Sequence, residues 1–102
     1  MLDRFYKLFV SNEKQAINDL ACKIQNQICD LYLKDPDNET FEQGGILDGS
    51  KIVKEYTDED EYGVAVEHLL YMVYESDISY PAEIIVDLNK LISKYKIKNP
   101  YL

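Results

Sequence analysis

The spacing of apolar residues most limits what this chain can fold into, because three separate segments repeat them with the period of an α-helix. The first segment covers residues 12–34. Asn12 followed by Gln15 has the form of a helix N-cap and capping box. Six apolar residues then fall on one side of a helical wheel: Ile17, Leu20, Ala21, Ile24, Ile28 and Leu31.

A second, narrower apolar strip lies nearly opposite on the same helix and consists of Cys22, Cys29 and Leu33. We expect residues 2–10 to form a short amphipathic helix that folds back through a turn at Ser11 and Asn12 and covers this strip. The two cysteines are separated by about 10.5 Å of helical rise, beyond the ~7 Å limit between the Cα atoms of a disulfide. We therefore predict two free thiols that contribute packing only.

Two more helices are predicted in the second half of the chain. One begins at Thr57 or Asp58, with residues 58–61 in its first turn, where the helix N-terminus favours negative charge, and runs to about Glu75. The other is opened by Ser79 and Pro81. Its single apolar stripe consists of Ile84, Ile85, Leu88, Leu91, Ile92 and Tyr95.

The middle of the chain, residues 36–56, is predicted to be irregular. Pro36 stops the first helix, and Gly44-Gly45 and Asp48-Gly49 interrupt any long element. Ile46-Leu47 and Ile52-Val53 are expected to plug the core from a loop or a single helical turn. A small hairpin pivoting at Asp48-Gly49 is the alternative, although an isolated two-stranded ribbon is only marginally stable.

The predicted fold is therefore all-α: one domain over residues 1–102, a small helical bundle of three long helices plus a short N-terminal helix, with an irregular middle segment. One core is expected to contain Ile24, Ile28, Leu31, Leu69, Val73, Ile85, Leu88 and Ile92.

Charge is distributed unevenly along the chain. Eleven Lys and Arg against nineteen Asp and Glu give a net charge of −8, and residues 35–87 alone carry −13. This balance argues against binding to nucleic acid or an anionic membrane, which requires cationic side chains, and predicts a basic protein partner. No long apolar run and no secretory signal pattern follows Met1, so we expect a soluble, cytoplasmic protein.

Catalytic and metal-binding patterns are missing from the sequence. The only histidine, His68, has no nucleophile paired with it, and a partly buried or interface role is expected. Cys22, Cys29 and His68 lack zinc-site spacing. A calcium loop beginning at Asp35 would have Thr40 and Ile46 where Gly and Glu are required. We therefore predict no enzyme activity, no metal and no cofactor.

Three neighbouring stretches in the second half of the chain resemble a known family. The run at residues 61–70, EYGVAVEHLL, followed by ESDIS at 75–79 and PAEI at 81–84, is similar to the C-terminal half of small bacterial immunity proteins of the MafI type. The resemblance covers about 40 residues and consists of a patterned helix pair. It implies an intracellular antidote that binds the nuclease domain of a toxin delivered by contact-dependent growth inhibition, often an EndoU-type RNase.

The residues themselves point to a similar function. Between residues 35 and 80, acidic side chains are interleaved with Phe41, Tyr56, Tyr62, Tyr71, Tyr74 and Tyr80. Interfaces favour tyrosine, and clustered carboxylates steer a basic partner. An acidic surface of this kind could occupy the RNA groove of a nuclease as a phosphate mimic. For any single residue, ordinary solvation or half-buried packing remains the alternative.

The predicted contact set has three parts. Asp58, Glu59, Asp60 and Glu61 form its electrostatic centre, Asp37, Glu39 and Glu42 its rim, and Tyr56 and Tyr62 its anchors. If the helix-pair motif is structural, the loop acids alone are the contact set. The protein is expected to be a monomer or a weak homodimer when free. An acidic regulatory adaptor for a basic transcription-related protein is the alternative function.

Overall fold

The structure, a computed structural model, describes the backbone of residues 2–101 and the side chains of residues 12–101. The regular secondary structure of residues 2–101 consists of helices, and these residues contain no strand. They form α1 (Leu2–Lys34), a 3₁₀ turn (Glu39–Glu42), α2 (Gly49–Asp58), α3 (Tyr62–Glu75) and α4 (Ala82–Lys94). The predicted all-α bundle is confirmed.

The core lies where α1 packs against the three shorter helices and α3 packs against α2 and α4. Five of the predicted core residues are buried in it, Ile85 and Ile92 pack against it while partly exposed, and Leu31 is half-buried outside it. The buried apolar set is Ile17, Leu20, Ala21, Ile24, Ile28, Ile46, Val53, Ala65, Val66, Leu69, Leu70, Met72, Val73, Ile84 and Leu88.

The predicted turn at Ser11 and Asn12 is wrong, because α1 runs through both residues without interruption. In the sequence, Tyr6, Phe9 and Val10 keep the helical phase of the stripe that starts at Ile17, so the helix needs no new start at Asn12. A separate, folded-back N-terminal helix is therefore excluded. The side chains of residues 2–11, which were expected to do the covering, lie outside the described residues.

The second strip of α1 consequently faces solvent. Cys22 and Cys29 are free, as predicted, but both are exposed, and Leu33 is 81% exposed. The prediction that the two cysteines contribute packing is therefore wrong among the described residues. It depended on residues 2–10 folding back over the strip, whereas these residues extend α1.

The middle segment, predicted to be irregular, contains the helix α2. Asp48 and Gly49, read as breakers, are the N-cap and first residue of α2. Glycine at 49 lets α2 start close to α3, because a Cβ there would lie 2.5 Å from Sδ of the buried Met72, which would have to shift. Ile46 and Val53 do plug the core, whereas Leu47 is 42% exposed. The alternative hairpin does not form.

Gln25 of α1 fixes the start of α2. The Asp48 side chain makes no capping hydrogen bond, and the Ser50 backbone N–H instead donates to Oε1 of Gln25 at 2.8 Å. Nε2 of Gln25 donates to the carbonyl oxygen of Ile46 at 3.1 Å. This buried amide therefore pairs with both a backbone donor at the start of α2 and a backbone acceptor in the preceding loop. An apolar side chain could form neither hydrogen bond.

Candidate functional site

Residues 58–62 form the α2–α3 corner, and residues 58–61 do not lie in the first turn of α3, where they were predicted. Asp58 ends α2, and Glu61 is the N-cap of α3. The backbone N–H of Glu61 donates to the Tyr56 carbonyl at 2.9 Å, and that of Asp60 donates to the Thr57 carbonyl at 3.1 Å. With Asp60 at φ +59°, this is a Schellman C-cap. Residues 58–61 therefore lie at the C-terminal end of α2, a helix that was not predicted from the sequence.

Asp58 is already paired within the chain. Its Oδ1 lies 2.5 Å from Nζ of Lys14, and its Oδ2 lies 2.9 Å from Nζ of Lys54. These hydrogen bonds, first from Lys14 and then from Lys54, hold the pKa of Asp58 below its usual range. The lysines offset a negative charge placed at the negative end of the α2 dipole. Asp58 is therefore less available to a partner than the exposed Glu59, Asp60 and Glu61.

The two predicted tyrosine anchors belong mainly to the bundle. Tyr56 and Tyr62 are half-buried and pack against the core. The Tyr62 ring meets the Tyr95 ring edge-on at 6.3 Å, and its hydroxyl donates to Oδ1 of Asp60 at 3.4 Å. Burial, and then the Asp60 charge, raises the pKa of Tyr62. Both rings thus stabilise the corner more than they offer surface to a partner.

The second acidic region is residues 35–48, the α1–α2 connection. Asp37, Glu39 and Glu42, the predicted rim, are all exposed here. Asn38 caps the 3₁₀ turn, since its Oδ1 accepts from the Thr40 N–H at 2.9 Å, and Thr40 is buried beneath it. The connection holds five acidic residues and no Lys or Arg. None of the five forms an ion pair with a described residue.

Exposed apolar side chains surround these carboxylates. Tyr32, at the end of α1, is 41% exposed and meets Phe41 edge-on at 5.1 Å and 89°. Leu47 is 42% exposed. Tyr32 and Leu47 were not predicted as site residues, because the sequence shows neither that α1 turns Tyr32 outward nor which of Ile46 and Leu47 is buried. An open cleft of about 320 Å³ with a mixed polar and apolar lining lies here, formed by Tyr32, Pro36, Asp37, Asn38, Phe41, Glu42 and Leu47.

Two side chains of α3 form hydrogen bonds with the backbone of the connection at Gly44 and Gly45. His68, partly buried as predicted, places Nε2 3.0 Å from the carbonyl oxygen of Gly45, where φ is +86°. The Tyr71 hydroxyl donates to the Gly44 carbonyl at 2.8 Å. Tyr74 stacks on Tyr101 at 4.8 Å. The histidine therefore positions a loop, and Tyr71, one of the tyrosines of the acidic stretch, lies beside the connection.

The nine predicted contact residues do not form one surface. The corner contacts α1 at Lys14, and the connection contacts it at Tyr32. Eighteen residues of helix separate these positions, a rise of about 27 Å. The structure thus brings Asp37, Glu39 and Glu42 together at one end of the bundle, and places Tyr56 and residues 58–62 at the other.

Among the described residues, no group of three or more His, Cys, Asp or Glu is arranged to hold a metal ion. No helix of the described chain combines the length and hydropathy that crossing a membrane requires.

Comparison with family models, with curated proteins and with solved structures gives no match for this chain.

Proposed function

We propose that this protein is a cytoplasmic immunity protein that binds and neutralises the nuclease domain of a bacterial toxin, an RNase delivered by contact-dependent growth inhibition. One observation carries the proposal: the five acidic residues of the connection lack ion pairs with described residues, and two of them, Asp37 and Glu42, line a cleft together with the exposed Tyr32 and Leu47. A surface that combines carboxylates with aromatic contact area suits a basic protein partner.

Electrostatics explain how such a protein would inhibit. A nuclease that grips RNA must present cationic side chains, and a protein of net charge −8 is attracted to them over several ångströms before contact. Carboxylates placed on that groove compete with RNA phosphates. Inhibition of this kind requires no catalytic residue, metal or cofactor in the inhibitor.

The test is to co-express this chain with the nuclease domain encoded by the gene directly upstream. We expect a stoichiometric complex on size-exclusion chromatography and loss of RNase activity at equimolar inhibitor. An acidic protein of similar size and charge serves as the control for non-specific attraction. Absence of both a complex and inhibition would overturn the proposal, and capture of an RNA polymerase subunit or transcription factor instead would favour the adaptor function.

A further inference from the structure

Resting on the proposed function, we infer that the partner docks at the α1–α2 connection by inserting an apolar side chain into the cleft between Tyr32, Phe41 and Leu47. Arginine or lysine residues flanking that side chain then pair with Asp37 and Glu42. The binding centre is thus at the connection, and the α2–α3 corner contributes long-range attraction only.

The apolar part of the site follows from exposure. Tyr32 and Leu47 each leave about two fifths of their surface in solvent, 41% and 42%, on the same 320 Å³ cleft. Aromatic and apolar side chains clustered beside a pocket are the usual centres of binding energy in protein interfaces. At the corner, by contrast, Tyr56 and Tyr62 are partly buried against the core, so less of either ring is available than of Tyr32.

The basic part of the site follows from charge complementarity. Asp37 and Glu42 line the cleft, and Glu39 is exposed on the intervening turn. Residues 35–48 contain no Lys or Arg, and none of their carboxylates forms an ion pair with a described residue, the neighbouring Lys34 included. A partner side chain entering the cleft therefore brings its neighbours next to uncompensated carboxylates, which favours arginine and lysine at those positions.

The connection is also held in place before a partner arrives. Gln25 binds it from α1, whereas His68 and Tyr71 bind it from α3 through the carbonyl oxygens of Gly45 and Gly44. Asn38 closes the 3₁₀ turn from within. Because these bonds fix the backbone around the cleft, binding pays less ordering entropy there than on a free loop.

The test is an NMR titration of the full ¹⁵N-labelled chain with a synthetic nonapeptide that has a central phenylalanine flanked by two arginines on each side. We expect saturable shifts at the amides of Tyr32, Asp37, Phe41 and Leu47. Two control peptides replace the phenylalanine with glycine or the arginines with glutamate. We expect about tenfold weaker binding of the first and none of the second.

Two variants and two matched controls locate the site. Tyr32→Ala and the double variant Asp37→Asn, Glu42→Gln should each weaken binding of the arginine–phenylalanine peptide about tenfold. Leu33→Ala, an exposed residue outside the cleft, and Glu67→Gln, an exposed acid on α3, should leave binding unchanged. The double variant changes exposed residues only, so it remains informative if Tyr32→Ala destabilises the fold. Shifts centred on residues 58–62, or identical binding of all three peptides, would overturn the inference.

The same variants separate this inference from the proposed function. If the upstream nuclease domain binds the wild-type chain and the Asp37→Asn, Glu42→Gln variant equally well, the docking surface is wrong and the function stands. If the arginine–phenylalanine peptide binds at the cleft but the nuclease domain is neither bound nor inhibited, the docking surface stands and the function is wrong.

Discussion

The α2–α3 corner and the α1–α2 connection are both acidic, yet their carboxylates are used differently. At the corner, Asp58 pairs with Lys14 and Lys54, and Asp60 forms part of a helix cap. At the connection, the carboxylates have no ion-pair partner among the described residues, and those of Asp37 and Glu42 share a cleft with the exposed Tyr32 and Leu47. The density of acidic residues along a sequence therefore does not measure how available those residues are to a partner.

The largest effect is expected from the core that separates the two regions. Leu69 is fully buried in α3, and Leu69→Ala should lower the free energy of unfolding by about 2–5 kcal/mol, because the cavity adds to the lost burial. Urea denaturation followed by circular dichroism measures the change. Val64→Ala, at a position 39% exposed on the same helix, is the control and should cost far less. Equal effects of the two substitutions would contradict the described packing.

Gln25→Ala should weaken the connection while leaving the corner intact. The substitution removes the hydrogen bonds to Ile46 and Ser50 and leaves their backbone groups without this buried partner, so a loss of about 1–3 kcal/mol is expected. Amide hydrogen exchange should speed up at Ser50 and not at Glu61. Asn26→Ala, at the next and exposed position, controls for helix propensity. Uniform exchange over both regions would show that they are not independent.

Sequence periodicity was sufficient for most of the fold but not for α2. The apolar stripes of α3 and α4 are long and regular, whereas α2 has ten residues and depends on contacts made elsewhere, such as Gly49 against Met72 and Thr57 with Asn18. Because α2 was not predicted, residues 58–61 were placed at the start of α3, whereas they lie at the end of α2. Without that helix, no local pattern could show that Asp58 closes one.

The sequence was sufficient to predict which segments of the candidate site are acidic, but not how their side chains are arranged in the fold. Counting charges located both acidic regions, since it needs no structure. The pairing of Asp58 with Lys14 joins residues 44 positions apart in the sequence, and the exposure of Tyr32 depends on where α1 lies in the bundle. Both facts are tertiary, so neither the neutralisation of the corner nor the exposed cleft at the connection could be inferred from spacing.

Charge removal should sharpen the difference between the two regions. Replacing Asp37, Glu39 and Glu42 with Asn and Gln should slow association with the upstream nuclease domain about tenfold at low salt and also speed dissociation. Replacing residues 58–61 in the same way should slow association about two- to threefold and leave dissociation unchanged, because those charges would act only at a distance. Stopped-flow kinetics at low and high salt distinguish the two.

A larger effect of the corner variant on dissociation would place the binding centre at residues 58–61, as the sequence alone predicted. The four substitutions there also remove the ion pairs of Asp58, so thermal unfolding of each variant must be measured first. An equal net charge change in both sets, reached by leaving Glu59 unchanged in the corner variant, makes the kinetic comparison direct.

The smallest effect is expected at Asp60, and its sign is informative. A residue with a Cβ is strained at φ +59°, whereas glycine is not, so Asp60→Gly should stabilise the fold by about 0.5 kcal/mol after the added freedom of the unfolded chain is offset. Asp60→Asn, which removes the same charge but tolerates a positive φ, should change stability little. A stabilised glycine variant that still neutralises the nuclease would show that the corner acid is not needed for binding. Destabilisation would instead mean that the Tyr62–Asp60 contact outweighs the backbone strain.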